Sequence, residues 1–149
     1  ILTADIDMSG INFDPIGTFS DYSGVRGSDG ATSYKGTFDG NGYIISNLTV
    51  NTNEKIETGL FGRASNATIR NVGIKNANIS NSTGIRSGIL AGELLWSNVS
   101  NVMTTGTVST TNEQKGGISG EACESKKYIE LTRNPQKALE FVFSILDGE

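Results

Sequence analysis

Three aspartates are the residues whose type and spacing first suggest chemistry. Asp5 and Asp7 are two positions apart near the N-terminus, and Asp39 stands in a separate glycine-rich stretch. A pair of carboxylates is what hydrolysis of a glycosidic bond requires, so these residues are the candidates for an enzyme that acts on polysaccharide. Apolar residues alternate with Asp5 and Asp7, however. This period of two predicts a half-buried strand with both carboxylates on its solvent face.

The stretch Asp39-Gly40-Asn41-Gly42 is rich in residues that tolerate positive φ. Such residues are typical of a tight reversal between two strands. A calcium loop of the EF-hand type would need further oxygen ligands at regular positions and a terminal glutamate, which this stretch lacks. We therefore expect a turn here and no metal site.

Histidine is absent from the sequence, and Cys123 is its single cysteine. Without histidine, the histidine-based zinc sites and the Ser-His-Asp and Cys-His catalytic arrangements are excluded within this chain. A single cysteine excludes an internal disulfide. We assign no catalytic residue and expect no cofactor, which leaves an enzyme built on aspartate carboxylates as the alternative.

Residues 18–35 are rich in glycine, serine, aspartate and tyrosine and show no hydrophobic periodicity. Excursions from a rigid scaffold are where binding residues usually lie. The first candidates for contacts with a host protein or a glycan are therefore Tyr22, Arg26, Asp29 and Tyr34. The alternative is a connecting loop that has no partner.

A repeat supplies the scaffold. Residues 59–62 (GLFG) recur as residues 89–92 (ILAG) and as residues 117–120 (GISG). The last glycine of the first copy lies 30 residues before that of the second. A fixed period of this size is typical of stacked-repeat folds, in which one unit cannot bury its apolar face without its neighbours. Together with many short strands and glycine corners, it predicts an all-β solenoid over residues 1–120.

Asn47, Asn71 and Asn101 each stand in the pattern apolar, any, asparagine, apolar, any, apolar, whose last position is threonine in the third copy. Asn71 and Asn101 are again 30 residues apart, whereas Asn47 precedes Asn71 by 24. A bend at each asparagine returns both flanking apolar side chains to one core, because asparagine tolerates left-handed backbone. Stacked asparagines can also bond to one another, so we expect a structural asparagine ladder at these three positions.

The C-terminal residues 121–149 have a different character. The pair Asn134-Pro135 is a helix-start signal, and apolar residues recur at helical spacing over residues 136–146. This predicts a linker and a short amphipathic helix that caps the open end of the solenoid. Alternatively, Phe141, Phe143 and Ile145 make the helix apolar on a second side, as a helix that binds a partner would be.

With these motifs in view, the chain resembles the GLUG-motif family of bacterial surface proteins, which also occur beside IgA-specific metallopeptidases. The resemblance covers residues 2–120 and rests on residues 2–7 (LTADID), 15–17 (PIG), 36–48 (GTFDGNGYIISNL) and 59–62 (GLFG). It implies a right-handed parallel β-helix that is secreted or displayed on a bacterial cell.

Charge and composition narrow the function. The net charge is −4 and charged residues make up 19% of the chain, with no basic run. We therefore expect no nucleic-acid partner. No apolar run reaches membrane-spanning length, so we also expect no membrane insertion. The chain begins at Ile1 rather than Met, and we expect it to be part of a larger protein. The leading hypothesis is a non-catalytic structural or adhesion module, secreted or on the cell surface. The alternatives are the aspartate-based polysaccharide enzyme and a protein-binding or inhibitor protein that uses the C-terminal helix.

Overall fold

The structure of the protein, a computed structural model, describes residues 1–17, 33–53, 55–111, 114–123 and 126–128. All the regular elements of the described residues are β-strands. They are β1 Ile6–Asp7, β2 Thr37–Asp39, β3 Ile44–Ser46, β4 Thr49–Thr52, β5 Glu57–Thr58, β6 Phe61–Ser65, β7 Thr68–Asn81, β8 Arg86–Gly88, β9 Ala91–Leu95, β10 Asn98–Thr110, β11 Gln114–Gly116, β12 Ser119–Cys123 and β13 Lys126–Tyr128.

These strands form three parallel sheets. The largest has the order β1-β3-β7-β10-β13, and β2 and β4 also pair with β7. The second sheet has the order β11-β8-β5, and the third has the order β12-β9-β6. Each later repeat therefore gives one strand to every sheet. The offset between paired residues is 30 from Phe61 to Ala91 and 28 from Ala91 to Ser119.

The apolar core consists of columns of side chains that stack from repeat to repeat. Ile45 pairs with Ile74 in register, and Ile69 pairs with Val99. All four side chains are at most 3% exposed. Because parallel strands in register place like positions above one another, each apolar side chain meets its equivalent one repeat along the stack, and burial of these columns stabilises the fold.

Asparagine corners bend the long strands around this core. In the described residues the non-glycine residues with positive φ are Trp96 and six asparagines. Asn71, within β7, has φ of 57°. Because this residue takes the left-handed conformation, Ile69 and Val72 both reach the core although they are three positions apart.

The predicted fold class needs correction. The prediction of a right-handed parallel β-helix is wrong, because the three sheets do not close into a complete solenoid in the described residues. The first repeat pairs with β6 only through isolated bridges at Ile16 and Tyr34. β5 is the last strand of its sheet in the described residues, so the wall is incomplete at that end.

Residues after position 120 also differ from the prediction. β12 crosses position 120 and β13 pairs with β10, so strand pairing continues where a linker was expected. The predicted helix over residues 136–146, with Phe141, Phe143 and Ile145, lies outside the described residues. No helix in the described part of the chain is long and apolar enough to cross a membrane.

The stretch Asp39-Gly40-Asn41-Gly42 is a turn but not the predicted reversal. β2 and β3 both run parallel to β7 and do not pair with each other. The turn accommodates two extra residues, since the offset to the partner strand falls from 31 (Asp39 to Arg70) to 29 (Ile44 to Gly73). Gly40 is required here because a Cβ atom would lie 2.4 Å from the carbonyl oxygen of Asn71.

Candidate functional site

The predicted contact site in residues 18–35 is described in part. Tyr22, Arg26 and Asp29 lie outside the described residues. Tyr34 is half-buried, and its backbone bridges to Ala64. Its ring packs on Phe61 with 4.9 Å between ring centroids, and burial raises the pKa of its phenol. Tyr34 therefore anchors the chain to the core, and its contact with a partner stays a prediction.

The structure brings together two of the three predicted ladder asparagines. Asn101 Nδ2 donates a hydrogen bond of 2.9 Å to Asn71 Oδ1. Asn71 Nδ2 in turn donates to Asp39 Oδ1 over 3.1 Å. Asn47 lies in another row, since Ser46 pairs with Lys75 and Asn47 therefore stacks on the next residue, Asn76. The 24-residue spacing from Asn47 to Asn71 is thus not a repeat interval.

Asp39 is fixed by its turn and by its neighbours. Its Oδ1 accepts a 2.8 Å bond from the backbone N–H of Asn41, and its Oδ2 accepts a 2.8 Å bond from Arg70 Nε. The Asn41 bond, with those of Asn71 and Arg70, lowers the pKa of Asp39 below its ordinary value, although some burial opposes the shift. Such a carboxyl stays ionised and is unsuited to act as a general acid.

Asp5 and Asp7 border a shallow polar groove of about 260 Å³ on the outer face of the largest sheet. Asp5 Oδ1 accepts a 2.8 Å bond from the backbone N–H of Ile44. Asp7 Oδ1 accepts bonds of 2.8 Å from Asn47 Nδ2 and 2.7 Å from Ser9 Oγ. The Asn47 and Ser9 bonds lower the pKa of Asp7. The groove is lined by Asp5, Asp7, Ile44, Ser46, Asn47, Lys75 and Asn76.

Asp7 and Asp39 are not suited to be the general acid of a glycoside hydrolase. That reaction needs one carboxyl with a raised pKa to protonate the leaving oxygen, whereas the pKa values of Asp7 and Asp39 are lowered. The one described carboxyl whose pKa is raised, that of Glu57, is 0% exposed and out of reach of a polymer. The groove can offer hydrogen bonds and charge to a small polar group.

Sequence reasoning missed a charged cluster between the second and third sheets of the described residues. We define this charged cluster as Glu57, Arg63, Arg86, Glu93 and Glu121. Glu57 and Arg86 face each other in register on β5 and β8, and Arg63 pairs with Glu93 on β6 and β9. The signal was present in the sequence, since each pair puts opposite charges one repeat apart.

The two arginines of the charged cluster join the carboxylates. Arg63 Nη2 lies 2.9 Å from Glu57 Oε1, and Arg63 Nε lies 2.6 Å from Glu93 Oε2. Arg86 Nη1 lies 3.3 Å from Glu57 Oε1, and Arg86 also pairs with Glu93 and Glu121. Breaking a buried network of this kind leaves an uncompensated charge, which is strongly destabilising.

Burial and pairing act in opposite directions on the charged cluster. Burial raises the pKa of Glu57, and the nearby Arg63 only partly offsets this. For Arg86 burial favours the neutral form, but the bond to Glu121 and the charge of Glu93 outweigh it and raise its pKa. No group of three or more metal-ligating side chains is placed to hold a metal ion in the part of the chain that the structure describes.

These observations define the class as an all-strand repeat protein of stacked parallel sheets. The chain is similar to Halomucin from Haloquadratum walsbyi (strain DSM 16790 / HBSQ001), with 35% identity over 131 residues. The match covers 80% of this chain and 1% of Halomucin, so the chain spans about a hundredth of the length of the curated relative that it matches. No family model matches the chain, and no solved structure matches it.

Proposed function

We propose that the chain is a non-catalytic structural or adhesion module of a larger secreted or cell-surface protein. The observation that carries the proposal is the in-register stacking of repeats, in which Asn98–Thr110 of β10 follows Thr68–Asn81 of β7 along almost its whole length. Repeats that contact only their neighbours form a quasi-one-dimensional array, whose side presents an extended surface for binding.

The similarity to Halomucin supports the location part of the proposal. A match over most of this chain to a protein with the name of a mucin is consistent with a secreted or surface location. The polar outer rows of asparagine, serine and threonine agree with a surface that works in water.

Membership of the GLUG-type surface modules is part of the same proposal. It is supported by residues 59–62 and by the glycines of the later repeats. Gly88, not the predicted Ile89, occupies the place of Gly59, because Thr58 pairs with Ser87. Gly116 follows in the same row, since it pairs with Gly88. All three repeats therefore have a glycine at the first position of the motif. The copies read from the sequence, residues 89–92 and 117–120, begin one residue after that glycine.

The test has two parts, one for location and one for activity. Antibodies raised against the chain should detect it in the culture medium or on intact cells of its source, in a form that added protease removes. A signal found only inside lysed cells would contradict the proposal. The purified chain should then be applied to arrays of glycans and matrix proteins while the release of reducing ends is assayed. If no reducing ends are released, both binding to the array and the lack of binding agree with a non-catalytic module. Release of reducing ends from any glycan would overturn the proposal.

A further inference from the structure

Five places in the sequence carry the triplet Asn-X-Ser/Thr, which is the acceptor motif for N-linked glycans. Their asparagines are Asn47, Asn66, Asn78, Asn81 and Asn98. Such triplets also arise by chance in a chain rich in asparagine, serine and threonine, so the motif alone assigns no modification. The structure separates the five, because a glycan needs a side-chain amide that faces solvent and that the fold does not use.

Two of these asparagines are held by the fold through their side chains. Asn81 is 0% exposed. Its Nδ2 donates to the carbonyl oxygen of Lys55 over 2.9 Å, and its Oδ1 accepts from the backbone N–H of Gly84 over 2.7 Å. A Cβ atom at position 84 would overlap Asn81 Nδ2, so this nitrogen has no room for a sugar. Asn47 Nδ2 likewise donates to Asp7 Oδ1 over 2.8 Å.

The other three asparagines are exposed. Asn66 forms a corner with φ of 52°, so the backbone has its own use for it. Asn98 pairs in register with Lys126 of β13, whereas Asn78 pairs with a threonine on each side. Asn78 is therefore the candidate whose neighbours on both strands are small and uncharged.

Asn78 lies inside the largest sheet, with its side chain on the outer face. In β7 the flanking Ala77 and Ile79 are buried, while Asn78 between them is exposed. Thr107 Oγ1 of β10 donates to Asn78 Oδ1 over 3.4 Å. Asn78 Nδ2 makes no hydrogen bond to Thr49 of β4 or to any other described residue. The nitrogen that would carry a sugar is thus not used by the described part of the fold.

The fold gives the Asn78 side chain no structural task. Asparagine is unfavourable within strands, where side chains must fit a pleated, half-buried surface. The other asparagines of β7 each have a role that offsets this cost. Asn71 and Asn76 take left-handed backbone with φ of 57° and 54°, and Asn81 bonds to backbone atoms. Asn78 does neither, which favours a role outside the fold.

We propose that Asn78 carries an N-linked oligosaccharide on the outer face of the largest sheet. Ser80, the third residue of its motif, lies on the same face, because side chains two positions apart in a strand share a face. In the transfer, Asn78 Nδ2 attacks C1 of a saccharide carried on a lipid phosphate. The bond from C1 to the phosphate oxygen breaks, the phosphate leaves with the electron pair, and the amide gives up one proton.

The transfer precedes the pairing of β7 with its neighbours, and folding then keeps the glycan in solvent at Asn78. A sugar on Asn81 would instead prevent the chain from folding, because that side chain is buried. The proposal rests on the proposed function, since N-linked glycans of this motif belong to secreted and surface proteins.

The first test uses the chain captured from its source with the antibodies of the location experiment. Trypsin cuts after Lys75 and Arg86, so residues 76–86 (NANISNSTGIR) leave as one peptide that holds two of the motifs. Mass spectrometry with electron-transfer fragmentation then locates the sugar. We expect it on Asn78 in most copies of the peptide. An unmodified peptide, or a sugar on Asn81, would overturn the inference.

Matched variants, secreted as full chains from a glycosylating eukaryotic host, give the second test. Ser80→Ala removes the motif of Asn78 and keeps its amide, whereas Ser80→Thr keeps the motif. Both should melt as the parent chain does, because Ser80 Oγ has no hydrogen-bond partner among the described residues. Endoglycosidase treatment should show one glycan fewer on Ser80→Ala and no loss on Ser80→Thr. Thr83→Ala, which removes only the motif of Asn81, should also lose none.

Equal glycan numbers on the parent chain and Ser80→Ala would overturn the inference, as would a glycan lost from Thr83→Ala. The proposed function fails separately. A chain found on the cell surface with bare Asn78 contradicts the modification alone, whereas a chain found only inside lysed cells contradicts the location.

Discussion

Arg63 Nη2 lies 2.9 Å from Glu57 Oε1, and this contact joins the second sheet to the third. The side chain of Glu57 is 0% exposed and that of Arg63 is 14% exposed, so water contributes little to solvating either charge. The pair lies within the charged cluster, in which Arg86 reaches the same Glu57 oxygen over 3.3 Å. Two sheets that share no backbone pairing are thus tied by side-chain charges.

Replacing Arg63 with methionine should lower the free energy of unfolding by about 3–5 kcal/mol, because the buried carboxylate of Glu57 loses its nearest cation. Urea denaturation of both proteins measures the difference. The control is the double variant Arg63→Met/Glu57→Met, which removes both charges and should recover most of the loss. A double variant that is no more stable than the single one would contradict an uncompensated Glu57 charge as the cause of the loss.

Replacing Gly92 with alanine should also destabilise the fold, by roughly 1–3 kcal/mol, since overpacking a tight contact forces backbone or side chains to shift. A Cβ atom at position 92 would lie 2.6 Å from Glu57 Cβ and 2.7 Å from the backbone nitrogen of Thr58. Gly117→Ala is the matched control, because its Cβ would approach nothing closer than Thr104 Oγ1 at 3.7 Å. Equal melting temperatures of the two variants would contradict the close contact.

Two substitutions at Asn71 separate its backbone role from its side-chain role. Asn71→Gly keeps the left-handed conformation easily and loses only the hydrogen bonds to Asp39 and Asn101, at about 0.5–1.5 kcal/mol for each bond. Asn71→Ala loses the bonds and should cost about 1 kcal/mol more, because φ of 57° is unfavourable for alanine. Chemical denaturation checks the order, and an alanine variant more stable than the glycine variant would refute the strain argument.

The pH dependence of stability should include a contribution from Asp39. Its pKa is lowered in the folded state from the ordinary value of 3.8, so the folded chain binds its proton less readily than the unfolded chain does. The stabilisation is therefore fully present above pH 3.8 and is lost as the pH falls through the lowered value.

Asp39→Asn tests this directly. The variant should melt below the parent chain at neutral pH, and the gap should close as the pH falls towards 2. Glu57→Gln provides a contrast of opposite sign, because the pKa of Glu57 is raised and its ionised form opposes folding more as the pH rises. A constant gap between Asp39→Asn and the parent chain from pH 7 to pH 2 would contradict the shift.

Much of the repeat could be predicted from the sequence, and its register could not. The 30-residue spacing from Asn71 to Asn101 matches a hydrogen-bonded pair in the structure. Asn47 matches two places in β7, because residues 69–74 (IRNVGI) and residues 74–79 (IKNANI) carry the same pattern around Asn71 and Asn76. The structure stacks Asn47 on Asn76, and a local pattern that occurs twice in one strand cannot decide between the two registers.

Candidate contact residues were harder to predict than strands. Tyr34 was selected because it stands in a polar, aperiodic segment, yet its ring packs on Phe61. Trp96 follows the apolar stretch of β9, which suggests burial, yet it is 51% exposed. Exposure depends on packing between repeats, which local sequence patterns do not contain.

Strands and repeats can be predicted from the sequence alone, because the period, the glycines and the asparagine corners are local features of the chain. Tertiary structure decided which strands pair, that the sheets are three and open, and that strand pairing continues past position 120. It also decided that Glu57, Arg63, Arg86, Glu93 and Glu121 meet. Charges far apart in sequence can stabilise one another only once register places them on facing strands, and register is a property of the whole stack.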